Sequence, residues 1–470
     1  MRKIALHWQI LLSLIISIIY GVVFHTNYKL TEDKFAELSK QNVSQNVVTS
    51  LKVINNKTYS SKKVFIQELN KIISENDLQI YQKQILMAAY NNKPIDWISW
   101  LGVVFMRALK MIIIPLVLSS IVSGVVNIGS GESLGRIGFK TISYYILTSL
   151  FAILTGLILV NIFRPGVGIE TNFIESADGF VNNQSSIGQT IMEIVPTNII
   201  EAMVNNNMLS IIFFAIVFGF FITKVGNKSE NTLKDFFNAL FDVMMKITMW
   251  IIRFTPLGIF GIVAKVIADQ DDLSGLAASM GFYMLTVILA LAVHAFITLP
   301  FILKFIGKIS IAKHFRAVST PLLTAFSTSS SGATLPLTMN AVEKNCGVSN
   351  KISSFTLPLG ATINMDGTAL YECVAAIFIA QAYGVELSVM QQVMIVFVAL
   401  ISSIGAAAIP MAGFFMITVI LTAVGLPLEG VGLVLSVDRI LDMFRTSVNV
   451  LSDTCGAVVI AKSEGETLKV

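Results

Sequence analysis

The most chemically loaded part of the chain lies near its end, in "SVDRILDMFRTSVNVLSD" (436–453). At roughly 100° of rotation per residue, Asp442, Arg445, Asn449 and Asp453 fall near 40°, −20°, 20° and 60° from Asp438. Five polar side chains thus share one narrow stripe of a helix, with Thr446 at its edge and Leu441, Phe444, Val448 and Leu451 elsewhere. A second such stretch, "TINMDGT" (362–368), puts Asn364, Asp366 and Gly367 into apolar surroundings. Carboxylate, amide and carbonyl oxygens suit a small hard cation. Asn364, Asp366 and backbone released around Gly367 are therefore candidate ion ligands, and Asn449 and Asp453 complete the set. Arg445 offers a planar fork that binds a carboxylate bidentately, and Asp442 can take an ammonium. With the hydroxyl run Ser327 to Ser331, this pattern fits an acidic amino acid. A plain internal pair between Asp442 and Arg445 is the competing reading; it leaves Asp366 and Asp453 in need of cations.

The elements that must position these groups are helices in lipid. Of the 470 residues 54% are hydrophobic and 13% charged, against about 25% charged in ordinary globular domains. Apolar runs long enough to cross a hydrocarbon core recur throughout. The sequence predicts an all-α polytopic membrane protein, and a charge at the bilayer centre costs roughly 2.5–3.5 kcal/mol even on lenient scales. The polar stripe must therefore face a cavity, ions or itself. Residues 1–26 read as a retained first transmembrane helix, with Arg2 and Lys3 inside. Basic loop residues such as Arg136, Lys140, Lys224, Lys308 and Arg316 fall on the side that alternating topology makes cytoplasmic, opposite "ADQDD" (268–272), in keeping with the positive-inside rule. Both termini are expected inside.

Residues 27–95 are polar, with ten lysines and six acids, and read as an extracytoplasmic insert. Phe65, Leu69, Ile72 and Ile73 there have the spacing of an amphipathic helix. Two later segments, near 317–346 and 390–425, are broken by small and polar residues. Irregular backbone at membrane depth must be buried in protein or line a wet cavity, which points to two re-entrant helical hairpins. Hairpin followed by charged helix, twice over, is the mark of an inverted-repeat transporter with its site at the midplane.

Other chemistries find little support. Cys346, Cys373 and Cys455 form no CxxC pair, and His7, His25, His294 and His314 form no ligand pattern, so each reads as a packing or interfacial residue. A net charge of +4 spread over many loops leaves no nucleic-acid footprint. An aspartyl protease built on Asp366 and Asp442 would leave Arg445 and both hairpins idle. A pure channel fits a closing hairpin over an amphoteric cavity less well than alternating access does.

The serine-rich hairpin, "NMDGT" and "DMFRTSVNVLSD", with "RALKMIIIPLVLSSIVSG" (107–124), "PTNIIEAMVNNNMLSIIFFAIVFG" (196–219) and "FTPLGIFGIVA" (254–264), resemble the dicarboxylate/amino acid:cation symporter family over about 97–462. The resemblance implies eight transmembrane helices plus the two hairpins, a homotrimer in the cell membrane, and an elevator mechanism. Residues 97–310 would hold helices two to six, and 311–470 the transport core. It implies substrate binding by Ser331, Thr368, Asp442, Arg445, Thr446 and Asn449, with backbone at Ser329, Ile409 and Gly413. Up to three sodium ions would be co-transported. One would use Gly360, Asn364, Asn449 and Asp453; a second Tyr145, Thr148, Ser149, Asn364 and Asp366. A third would use Thr362, Met365 and backbone at Ser403, Ile404 and Ala406. Ala406 stands where relatives often have threonine. Ser329 and Met443 occupy places where relatives carry a second arginine, and Arg439 is the expected replacement. The 27–95 insert has no counterpart. The implied activity is sodium-coupled import of glutamate or aspartate, with a proton-coupled or C4-dicarboxylate carrier as the alternative.

Overall fold

The computed structural model describes residues 6–128, 135–168, 195–205, 207–405 and 412–470. They form two compact units, the first containing the chain up to Arg107 together with Arg253–Ala278. In it the apolar helix Leu6–Val23 packs along Thr255–Ala268. The insert follows, and it is not purely helical. Strands β1 (Asn27–Lys29), β2 (Thr58–Tyr59) and β3 (Tyr90–Asn91) form an antiparallel sheet in the order β2-β1-β3. Strands of two or three residues are too short to show alternation in a sequence. They matter because Tyr28 of β1 pairs with both Tyr59 and Tyr90, closing the insert on its own entry and exit.

Four helices, Glu32–Lys40, Gln45–Leu51, Lys62–Ile72 and Glu75–Ala89, fill out the insert. Ser61 and Ser74 cap the last two through their hydroxyls, accepting from Val64 N and Asp77 N, which satisfies donors that a helix start leaves free. Phe65 and Leu69 are fully buried, as their spacing predicts, in a core shared with Leu30, Leu38, Leu51 and Ile85. The insert is stitched to the helices beneath it. Asn92 donates to Phe24 O at 2.7 Å, Thr26 N to Ala268 O at 2.9 Å, and Lys63 N to Asp271 Oδ2 at 3.1 Å.

The second unit holds the polar segments. Helix Asp366–Ala382 is its axis: all but one of its residues are buried, as befits a helix that is mostly apolar all round. Around it pack Gly135–Phe163, the last helix Val431–Ser463, and the helices Val389–Gly405 and Ala412–Ala423. Those last two also pack on each other, as the arms of a second hairpin should; residues 406–411 at its tip, with Ala406 and Ile409, lie outside the described residues. The first hairpin is complete. Ser319–Thr328 and Ser331–Ala341 pack together across a turn in which Ser329 is left-handed (φ 51°) and Ser330 caps the second arm by accepting from Ala333 N.

Among the described residues four helices are long and apolar enough to cross a membrane, or five if Lys228–Ile252 and Thr255–Ala268 form one broken span. Other expected spans are shorter apolar helices, including Trp8–Val23 and Ser210–Ile222. The last helix has 33 residues, about 50 Å at 1.5 Å per residue, and its polar stripe is what sets it apart from an ordinary span.

Candidate functional site

The site begins with a break in a helix. Asn350–Ile363 and Asp366–Ala382 run in sequence, separated by Asn364 (φ −104°, ψ 81°) and Met365 (φ −110°, ψ 55°), neither helical. The backbone is therefore released at Asn364–Met365, not around Gly367, which sits inside the following helix. Gly367 contributes its N–H, which donates to Asn449 Oδ1 at 2.8 Å, while Asn449 Nδ2 donates to Thr368 Oγ1 at 3.1 Å. The first turn of the helix after the break is thereby tied to the last helix.

That helix turns its predicted stripe inward: Asp438, Arg445, Thr446, Asn449 and Asp453 are all buried. Arg445, 1% exposed, donates through Nη2 to Asp442 Oδ1 at 2.6 Å and through Nη1 to Asp438 Oδ1 at 3.1 Å. Its guanidinium lies 4.1 Å from the ring centroid of Tyr371, a cation–π contact that favours a desolvated cation. A methyl group on Gly413 would collide with Nη1, so the second hairpin brings bare backbone against the arginine. The internal Asp442–Arg445 pair is thus real, and Asp438 joins it. Arg439, 45% exposed, reaches Asp442 Oδ2 at 3.6 Å. A zwitterion with a side-chain carboxylate can exchange with this cluster, its carboxylate taking Arg445 and its ammonium the released Asp442. A bidentate carboxylate–guanidinium pair has the geometry for it.

A second group of oxygens sits one turn along. Asp453 Oδ1 accepts from Asn364 Nδ2 at 2.9 Å, and a Cβ on Gly360 would collide with that same Oδ1 and lie 2.7 Å from Tyr145 Oη. Tyr145 donates to Thr356 O at 2.8 Å, and Thr148 Oγ1 is 3.5 Å from Asn364 Oδ1. Ser149 donates to Asp366 Oδ1 at 2.6 Å. Gly360, Asn364, Asp453, Tyr145, Thr148, Ser149 and Asp366 are therefore assembled from three separate stretches of chain. Carboxylate, amide, hydroxyl and carbonyl oxygens of this kind are what a hard cation takes.

Among the described residues, no side-chain hydrogen bond joins the other expected positions to these groups. Thr362 donates to Leu359 O at 2.8 Å and Ser403 to Leu400 O at 2.7 Å, each within its own helix. Met365 and Thr446 are buried, and Ser331 is half-buried at the start of its arm. Ile404 lies on Val389–Gly405. The hydroxyl of Ser329 is buried without a partner among the described residues.

Three residues that matter here were not assigned to the site from the sequence. His294 is fully buried and its Nε2 lies 3.1 Å from Asp366 Oδ2; Ser452 donates to that same oxygen at 2.6 Å. With Ser149, Asp366 therefore has three hydrogen-bond partners. Glu372 is fully buried with both carboxylate oxygens unpartnered among the described residues. Its signal was available: an ionisable residue inside an apolar spanning segment is a functional candidate by default. Outside the site, His314 contacts Cys346 at 3.9 Å and Cys455 at 3.7 Å. Among the described residues no His, Cys, Asp or Glu cluster has the arrangement of a metal centre.

Comparison with known proteins fits this picture. The model of the Sodium:dicarboxylate symporter family matches residues 6–463. This chain belongs to that family. It is 35% identical to the proton/sodium-glutamate symport protein of Geobacillus stearothermophilus over 80% of this chain and 90% of the relative. Excitatory amino acid transporter 3 of Mus musculus is 37% identical, over 78% and 79% of the two chains. The proton/glutamate-aspartate symporter of Escherichia coli (strain K12) is 34% identical, over 81% and 90%. The protein is a multi-pass membrane transporter of the symporter class, not an enzyme.

Proposed function

We propose that the protein is a secondary symporter that imports glutamate or aspartate across the cell membrane, coupled to sodium. The observation that carries this reading is the buried guanidinium of Arg445, held between Asp438 and Asp442 on the same helix stripe as Asn449 and Asp453. One fixed cation and one exchangeable carboxylate match the two ends of an acidic amino acid. Thr368, Thr446 and Asn449, with backbone at Ser329, Gly413 and Ile409 and the hydroxyl of Ser331, complete the substrate contacts. Up to three sodium ions use the sets centred on Asp453, Asp366 and Thr362. The names of the relatives support glutamate as substrate class.

Transport proceeds as an elevator within a homotrimer, the two hairpins closing the site from opposite sides. Residues 311–470 form most of the moving core and 97–310 most of the scaffold. Arg439 tunes Asp442 from its outer side, in place of the relatives' second arginine.

Purified protein in liposomes tests this, with radiolabelled aspartate and glutamate and with sodium, potassium and proton gradients varied independently. Sodium-driven uptake is expected, and Arg445→Cys should abolish it for acidic substrates; intact uptake by that variant overturns the clamp. Glu372 favours a second reading, proton coupling, because an ionisable side chain inside a spanning segment, without a partner among the described residues, is a candidate for proton relay. Full uptake in sodium-free medium under an inward proton gradient would establish it.

A further inference from the structure

Asp366 differs from the other buried carboxylates in having both oxygens occupied by donors from three separate helices. Ser149 Oγ donates to Oδ1 at 2.6 Å from Gly135–Phe163, and Ser452 Oγ to Oδ2 at 2.6 Å from the last helix. The third, His294 Nε2, is 3.1 Å from Oδ2 and comes from a π turn, His294–Thr298, that interrupts the ladder between Leu273–Val293 and Leu299–Phe305. Such turns occur frequently at functional sites. With Nε2 as the donor of this bond, Nδ1 has no partner among the described residues. By contrast Asp453 accepts from Asn364, and Glu372 from nothing described. Donors on both oxygens occupy lone pairs that a bound cation would otherwise take.

We propose that Ser452 and His294 are positioning residues that stand in for the cation at Asp366: their two donors hold Oδ2 in the ion-free carrier, and sodium has to displace the Ser452 hydroxyl to bind. This rests on the sodium reading above and extends it. The stand-in keeps the empty carrier competent to return across the membrane, and it sets the sodium concentration at which the site fills.

The test is a sodium titration of purified, substrate-free carrier followed by its thermal unfolding midpoint, with net uptake and homoexchange measured in parallel. Ser452→Ala removes a donor from the ion-free state. Sodium should then half-saturate at a concentration lower by about tenfold, the scale of one hydrogen bond to a charged group. Net uptake, which needs the empty carrier to return, should slow relative to exchange. His294→Ala should shift the midpoint in the same direction, and His294→Gln, which restores an N–H, by less. Unchanged or weakened sodium binding in Ser452→Ala, with a wild type that responds to sodium, overturns the stand-in alone. A wild type indifferent to sodium overturns the sodium reading and the stand-in with it.

Discussion

Gly360→Ala is the sharpest probe of the ion-type oxygens, because the added methyl has nowhere to go. It would collide with Asp453 Oδ1 and lie 2.7 Å from Tyr145 Oη, about 0.7 Å inside an ordinary van der Waals contact. Neither neighbour yields freely. Tyr145 is 1% exposed and donates to Thr356 O at 2.8 Å, while Asp453 Oδ1 accepts from Asn364 at 2.9 Å. Overpacking a close-fitted interior costs about 1–3 kcal/mol. If the carboxylate withdraws to make room, the cost falls on the ion-bound state. The sodium concentration for half-maximal uptake then rises about five- to 150-fold. Gly281→Ala serves as control, since its Cβ would meet nothing within 4 Å; there the gain in helix propensity, about 0.5–1 kcal/mol, should leave sodium dependence untouched. The assay is initial uptake rate against external sodium, alongside the thermal midpoint of each variant. A Gly360→Ala carrier that folds as well as wild type and keeps its sodium dependence would refute the packing of Asp453 against Gly360.

Further outcomes follow from groups at the edges of the mechanism. Glu372→Gln makes the side chain permanently neutral, so any stimulation of net uptake by an inward proton gradient should vanish while homoexchange persists; a retained proton response would assign coupling elsewhere. At the end of the last helix, Lys140, 2.6 Å from Glu464 Oε1, and Arg136 hold the Glu464 carboxyl below its ordinary range. A depressed folded-state value gives stability that is present above the unfolded value, about 4.3, and is lost as pH falls through the folded one. The protection of amides at the C-terminal turn, corrected for the intrinsic pH dependence of exchange, should therefore fall in acid for wild type, and Glu464→Gln should show the lower protection already at neutral pH; identical protection profiles would dismiss the clasp.

The amino-acid sequence by itself determined the polar stripe of the last helix, because a period of 3.6 residues places side chains on a face whatever surrounds the helix. The same local rule made Phe65 and Leu69 legible as core and exposed the helix-turn-helix character of the serine-rich hairpin. In the central segment the composition of "TINMDGT" announced an interruption, yet the interruption falls at Asn364–Met365. Gly367 is instead spent on a backbone donor for Asn449. A glycine is locally compatible with either role, and only the neighbouring helix chooses between them. The partners of Asp366 lie farther from any local rule: Ser149, His294 and Ser452 are 217, 72 and 86 residues from it along the chain. Their meeting is decided by packing of helices at long sequence separation. So are the three-stranded closure of the insert and the seating of Arg445 between two carboxylates and Tyr371. Hydrophobic period and residue type act within a few turns of a helix, whereas a buried charge is satisfied by whatever the fold brings within about 3 Å of it.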